Sequence, residues 1–173
     1  MSDFVVGLRK LGACPAAVEW ARGFPTLQAA WDACGRADWM LWLCERVDGE
    51  IRPATRLAAC ACARTALRCV PAGEDRPLRA IETAERFARG EATAEEMADA
   101  MADAVAVAGA VMADAWAVRA AAVAAGVAAG VAGAAWVSAR AAWVAGAAWV
   151  AAHREMAEIV REHIPVAPRV EGR

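Results

Sequence analysis

TAEEMADAMADAVAVAGAVMADAWAVRAAAVAAGVAAGVAGAAWVSARAAWVAGAAWVAAHREMAEIVREH, from Thr93 to His163, is the stretch whose reading decides the fold. It holds no proline and is dominated by alanine, the best helix former, so it reads as α-helix. As one rod its 71 residues would reach about 105 Å. A compact globule of this chain length is only about 40 Å across. The segment must therefore fold back on itself. Its weakest place is the cluster Gly126, Gly130 and Gly133, where each glycine costs about 1 kcal/mol relative to alanine. A break there predicts an antiparallel pair, with helices near 93–125 and 134–163. Ala and Gly on the facing surfaces let the two backbones approach closely. Small side chains bury little area each, so Trp116, Trp136, Trp143, Trp149 and the valines carry the hydrophobic stabilisation.

Outward from this pair, Thr93 followed by Glu96 predicts a capping box at its start. Pro165 stops the last helix after Ile164, and residues 165–173 read as a loose tail. Upstream, residues 52–90 read as a helical hairpin. Arg52-Pro53 opens one helix running to about Val70, a loop with Gly73 follows, and a second helix covers Leu78–Arg89 until Gly90. Residues 1–50 read as short tryptophan-rich helices. Pro15 suits a first helical position, Thr26 an N-cap, and Asp38 a cap for Trp39–Val47. Residues 1–13 read as a lead-in with one apolar run, Phe4 to Leu8. The expected fold is all-α: a single helical domain, 1–173, with short N-terminal helices packed on a long antiparallel Ala/Gly-rich C-terminal helix pair.

A chain of 173 residues can bury a sizeable core. A net charge of −2 gives no global attraction to nucleic acid or to an anionic membrane. The amino terminus, MSDFVVGLRKLGAC, shows no basic region followed by an apolar run, so a cytoplasmic location is expected. The six cysteines then read as reduced core residues. Twenty uncharged residues separate Arg119 from Arg140, with Gly126 and Gly130 in a GxxxG arrangement. They are mostly Ala and Gly, far less apolar than a Leu/Ile/Phe span, so a soluble bundle is expected.

Reactive constellations are sparse. There is no CxxC, Cys60 and Cys62 point to different faces of a helix, and His153 and His163 stand ten apart. No GxSxG and no phosphate-binding glycine loop occurs. The reading is of a protein that is not an enzyme and needs no cofactor or metal. Two charged stripes are the candidate sites. Arg52, Arg56, Arg64 and Arg68 form a broad basic side with no acid between Arg52 and Val70, suited to an anion or nucleotide or to an acidic partner. Glu96, Asp99, Asp103 and Asp114 form an acidic face on the long helix. The favoured account is that both are solvated faces whose charges pair within the chain.

The run LGACPAAVEWARGFPTLQAAWDACGRADWMLWL, Leu11–Leu43, is similar to the amino-terminal signature of the Imm-5-like immunity protein family of bacteria and phages. The resemblance continues through Arg56–Leu67 and Arg76–Thr93 and ends in an alanine-rich carboxyl half; Asp38–Leu43 is its most specific part. Family members often carry tyrosine in AAYAA units, whereas this chain has AAWV units and no tyrosine. The resemblance implies an all-helical protein that neutralises a toxin by binding it, without cofactor or catalysis. The alternatives are a helical self-assembling scaffold, a homo-oligomer packed through Ala/Gly surfaces, and an anion or nucleotide binder using the four arginines.

Overall fold

The computed structural model describes residues 2–48, 51–70, 72–100, 102 and 147–170. Every regular element among them is a helix, and no strand occurs there. The helices are α1 (Asp3–Lys10), α2 (Pro15–Ala21), α3 (Leu27–Ala33), α4 (Ala37–Asp48), α5 (Pro53–Arg64), α6 (Arg76–Ala88) and α7 (Ala147–His163). A 3-10 helix, Thr65–Cys69, prolongs α5. A further helical segment covers 94–100. The all-α reading holds for these residues. The break at Gly126–Gly133 and the helical pair around it up to residue 146 lie outside the described residues, as do Trp116, Trp136, Arg140 and Trp143.

Local signals place most of the helix ends. The Thr26 hydroxyl accepts from the Ala29 amide 3.1 Å away and caps α3. Thr93 and Glu96 form the expected capping box, with the Thr93 amide donating to the Glu96 carboxylate at 2.7 Å and the Glu96 amide to the Thr93 hydroxyl at 3.1 Å. After α6, Gly90 takes φ +75°, and the Glu91 amide reaches back to the Arg86 carbonyl at 2.8 Å. That is the glycine-terminated C-cap the sequence signals.

Three expectations need correction. Residues 1–13 are not a lead-in. Phe4, Val5 and Leu8 fall on one face of α1 and are buried, and Gly12, at φ +85°, ends the helix in the same way as Gly90. Eight residues are too few to be stable alone, so tertiary packing rather than propensity makes this helix. Helix α4 begins at Ala37, two residues ahead of Trp39, and Asp38 lies inside it. The segment after Pro165 is not loose as far as residue 170. The Gln28 side chain donates to the Pro165 carbonyl at 3.1 Å and accepts from the Ala167 amide at 2.8 Å. The Trp31 indole N–H donates to the Ile164 carbonyl at 3.0 Å. Gln28→Ala removes two of these three ties and is expected to cost about 0.5–1.5 kcal/mol. Faster hydrogen exchange at the Ala167 amide, with the amides of α5 unchanged, is the check.

The centre of the described fold is α5, which packs against α6, α7 and α4. Thr55, Arg56, Ala58, Ala59, Cys60, Cys62 and Ala63 are all buried, so its buried side chains lie on several faces. Small side chains make this geometry attainable. Ala58, Ala59, Ala63, Ala84 of α6 and Ala157 of α7 are each no more than 1% exposed, which lets three helix backbones approach closely. The Cys62 thiol donates to the Met156 carbonyl at 3.6 Å and ties α5 to α7. Leu41, Met40, Ile81, Met156 and Val160 fill the larger spaces.

Candidate functional site

Helices α1 to α4 line a half-open cavity of about 560 Å³. Pro15 starts α2, the Thr26 cap starts α3, and the short links between them set the helices at angles that leave a recess. Leu8, Gly12 and Ala13 line it from the end of α1, and Ala17, Trp20 and Ala21 from α2. Leu27, Ala30 and Trp31 line it from α3, and Trp39, Met40, Trp42 and Leu43 from α4. Its polar members are Cys14, Cys34, Arg36 and Asp38.

The aromatic walls are half-buried. The Trp20 and Trp39 rings stand 5.9 Å apart, tilted by 58°, and Phe24 meets Trp20 at 4.6 Å. Such tilted contacts suit the ring quadrupoles. The Arg36 guanidinium lies 4.5 Å above the Trp39 ring, and that of Arg46 lies 5.9 Å from Trp42. Trp31 is buried beneath, held through its N–H by the tail.

The charged end of the cavity is closed on itself. Arg36 binds Asp38 through two parallel hydrogen bonds, Nε to Oδ1 at 2.8 Å and Nη2 to Oδ2 at 2.6 Å. This pairing pushes the Arg36 pKa further up. From behind, α7 brings His153, 1% exposed, with Nδ1 3.5 Å from Oδ1 of Asp38. Burial pushes the His153 pKa below the ordinary imidazole range, Asp38 opposes that shift, and Arg36 reinforces it, so the ring is neutral at pH 7. Another α7 residue, Arg161, donates to the Cys34 carbonyl at 2.7 Å and the Trp31 carbonyl at 3.3 Å. Both carbonyls belong to the end of α3, where the Trp31 carbonyl also accepts from the Cys34 amide at 3.2 Å.

Three buried thiols, Cys34, Cys60 and Cys62, are not poised for reaction. The Cys34 thiol donates to the Arg36 carbonyl at 3.6 Å, and burial pushes its pKa up. Burial pushes Cys60 and Cys62 to about 12. Thiolates are the reactive form, and these three are held as thiols at neutral pH. Among the described residues, no three His, Cys, Asp or Glu side chains gather within reach of one metal ion.

The sequence-derived stripes lie elsewhere and do not converge. Arg52 is exposed at the N-cap of α5. Arg56 is 9% exposed, stacks 4.9 Å from the Phe87 ring and donates to the Met97 sulfur at 3.6 Å. Arg64 makes a two-pronged pair with Glu85 at 2.7 and 2.9 Å. Arg68 stands 3.6 Å from Glu155. Arg64 and Arg68 thus pair with acids of α6 and α7 rather than with the acidic stripe, and Arg56 meets a ring and a sulfur. Glu96 pairs with Arg86 at 3.3 Å, Asp99 is exposed, and Asp103 and Asp114 lie outside the described residues. Among described helices, none is long and apolar enough to cross a membrane.

Sequence reasoning missed the recess and the Arg36–Asp38–His153 cluster. Arg36 and Asp38 could have been paired from their spacing at a helix start. His153 is 115 positions further along, and nothing local announces it. No family model matches the chain, and neither a curated protein nor a solved structure matches it.

Proposed function

We propose that the chain is a non-catalytic recognition protein of the immunity type, which neutralises a toxin by binding it. The observation that carries the reading is a coincidence of sequence and geometry. Every residue lining the cavity except Leu8 falls within Leu11–Leu43, the run that resembles the immunity family. The stretch with the family-like signature is thus the stretch that builds the recessed aromatic surface. Half-buried tryptophans around a preformed recess are the kind of surface on which binding energy concentrates. Much of the surrounding chemistry suits contact: Cys34, Cys60 and Cys62 are buried thiols, and Arg36, Arg64 and Arg68 stand against carboxylates.

The test is coexpression with the product of the adjacent gene. Restored growth of the host, together with a discrete complex on gel filtration, is the expected result. Unchanged toxicity in cells that contain folded, soluble protein rules the reading out.

A further inference from the structure

We infer that the cavity between α1 and α4 is a binding site for a small, neutral, flat aromatic molecule. The inference goes beyond the immunity reading and does not depend on it. The volume, about 560 Å³, sits inside the range of roughly 300–1,000 Å³ typical of small-molecule pockets and exceeds what one inserted side chain fills. The walls are mostly indoles and aliphatic groups, and Arg36 and Asp38 are the charged side chains among them.

Charge decides the ligand class. The one buried carboxylate at the site, Asp38, is held by both prongs of Arg36. A ligand anion would compete with Asp38 for Arg36 and would stand beside a buried carboxylate, which disfavours it. A ligand cation meets a different obstacle. The Trp39 face that would attract it is already covered by Arg36, and Arg46 stands near Trp42. Neutral molecules face neither penalty. A flat ring gains most, because it can lie against the edges of the two indoles, Trp20 and Trp39, which line the recess with ring centroids 5.9 Å apart and tilted by 58°. The site is also supported from beneath. Trp31 is hydrogen-bonded to the tail, and Arg161 fixes the end of α3, so the recess need not be ordered by the ligand.

The experiment titrates the full chain with N-phenyl-1-naphthylamine, a neutral probe, and in parallel with 8-anilino-1-naphthalenesulfonate, its charged counterpart. Saturable binding of the neutral probe is expected, with energy transfer from tryptophan and a dissociation constant at least tenfold below that of the sulfonate. Ala17→Phe projects a ring into the cavity from α2 and should weaken the neutral probe at least tenfold, whereas Ala16→Phe, at an exposed position, should not. If Ala17→Phe loses its helical circular dichroism, Leu27→Trp serves in its place under the same criterion. Non-saturable binding, equal affinity for the two probes, or full affinity in a folded cavity-filled variant each overturns the inference. Host-growth rescue is read separately, so probe binding and toxin neutralisation stand or fall independently.

Discussion

Leu41→Ala is expected to destabilise the protein by about 2–5 kcal/mol. Leu41 is 0% exposed, in the middle of α4, where one side of the helix faces the cavity walls and the other meets α5 and α7. Removing three methylene-equivalent carbons loses their transfer free energy. It also leaves a void, because the neighbours that would have to move in are constrained. Cys44 and Met40 are themselves 2% exposed, and the alanines across the interface have no side chain to extend. A site that cannot collapse sits at the upper end of the range for such substitutions. For a domain of this size the melting temperature should fall by about 4–20 °C. Val166→Ala, at a side chain 71% exposed, is the control and should change stability by less than about 0.5 kcal/mol. A Leu41→Ala protein that melts with the control would mean that α4 does not lie in the core.

Helix identity was readable because its signals are local. Pro15, Thr26, the Thr93–Glu96 box and Gly90 act within a few residues of themselves, and all four do what their chemistry predicts. Close packing through alanine was also legible as a principle, but its observed location was not. Among the described residues it is seen around α5, where Ala58, Ala59 and Ala63 pack with Ala84 and Ala157; the carboxyl-terminal pair where it was expected lies largely outside those residues. Composition says that small residues permit close approach; it does not say which surfaces will meet. Helix α1 escaped for a related reason, since its stability comes from burying Phe4, Val5 and Leu8 rather than from propensity. The candidate site was the least legible part. The four arginines made a stripe in sequence, but Arg56 meets the Phe87 ring while Arg64 and Arg68 reach Glu85 and Glu155. The cavity depends on the angles between four short helices, which no spacing rule encodes. His153 reaches Asp38 only through the packing of α7 on α4.

That last contact supports the second large effect. Asp38→Ala is expected to cost about 2–4 kcal/mol at pH 7.5, because it strips the carboxylate from Arg36 while leaving the guanidinium in place. The figure is set below the usual cost of breaking a fully buried pair, since the Arg36 side chain is 30% exposed and water recovers part of its charge. The pH profile separates this from a simple packing defect. His153 has a folded pKa below its unfolded value near 6.5, so the unfolded chain takes up the proton first as pH falls. Stability from the neutral buried ring is therefore complete above the unfolded pKa and is lost as pH drops through the folded one. Glu74, held low by Arg76, and Glu96, held low first by the Thr93 amide and then by Arg86, lose their contribution as pH falls from the ordinary carboxylate range toward their lowered folded values, so the interval from pH 7 to 5 reads the histidine. Asp38 is the group that holds the His153 pKa up against burial. Without it the folded pKa falls further and the window of loss widens, so Asp38→Ala should lose more stability than the parent between pH 7 and 5. His153→Leu should flatten the profile over the same interval. Urea denaturation at pH 7.5, 6 and 5 reads both variants, and an unaltered slope in His153→Leu would show that the buried ring is not what responds to acid.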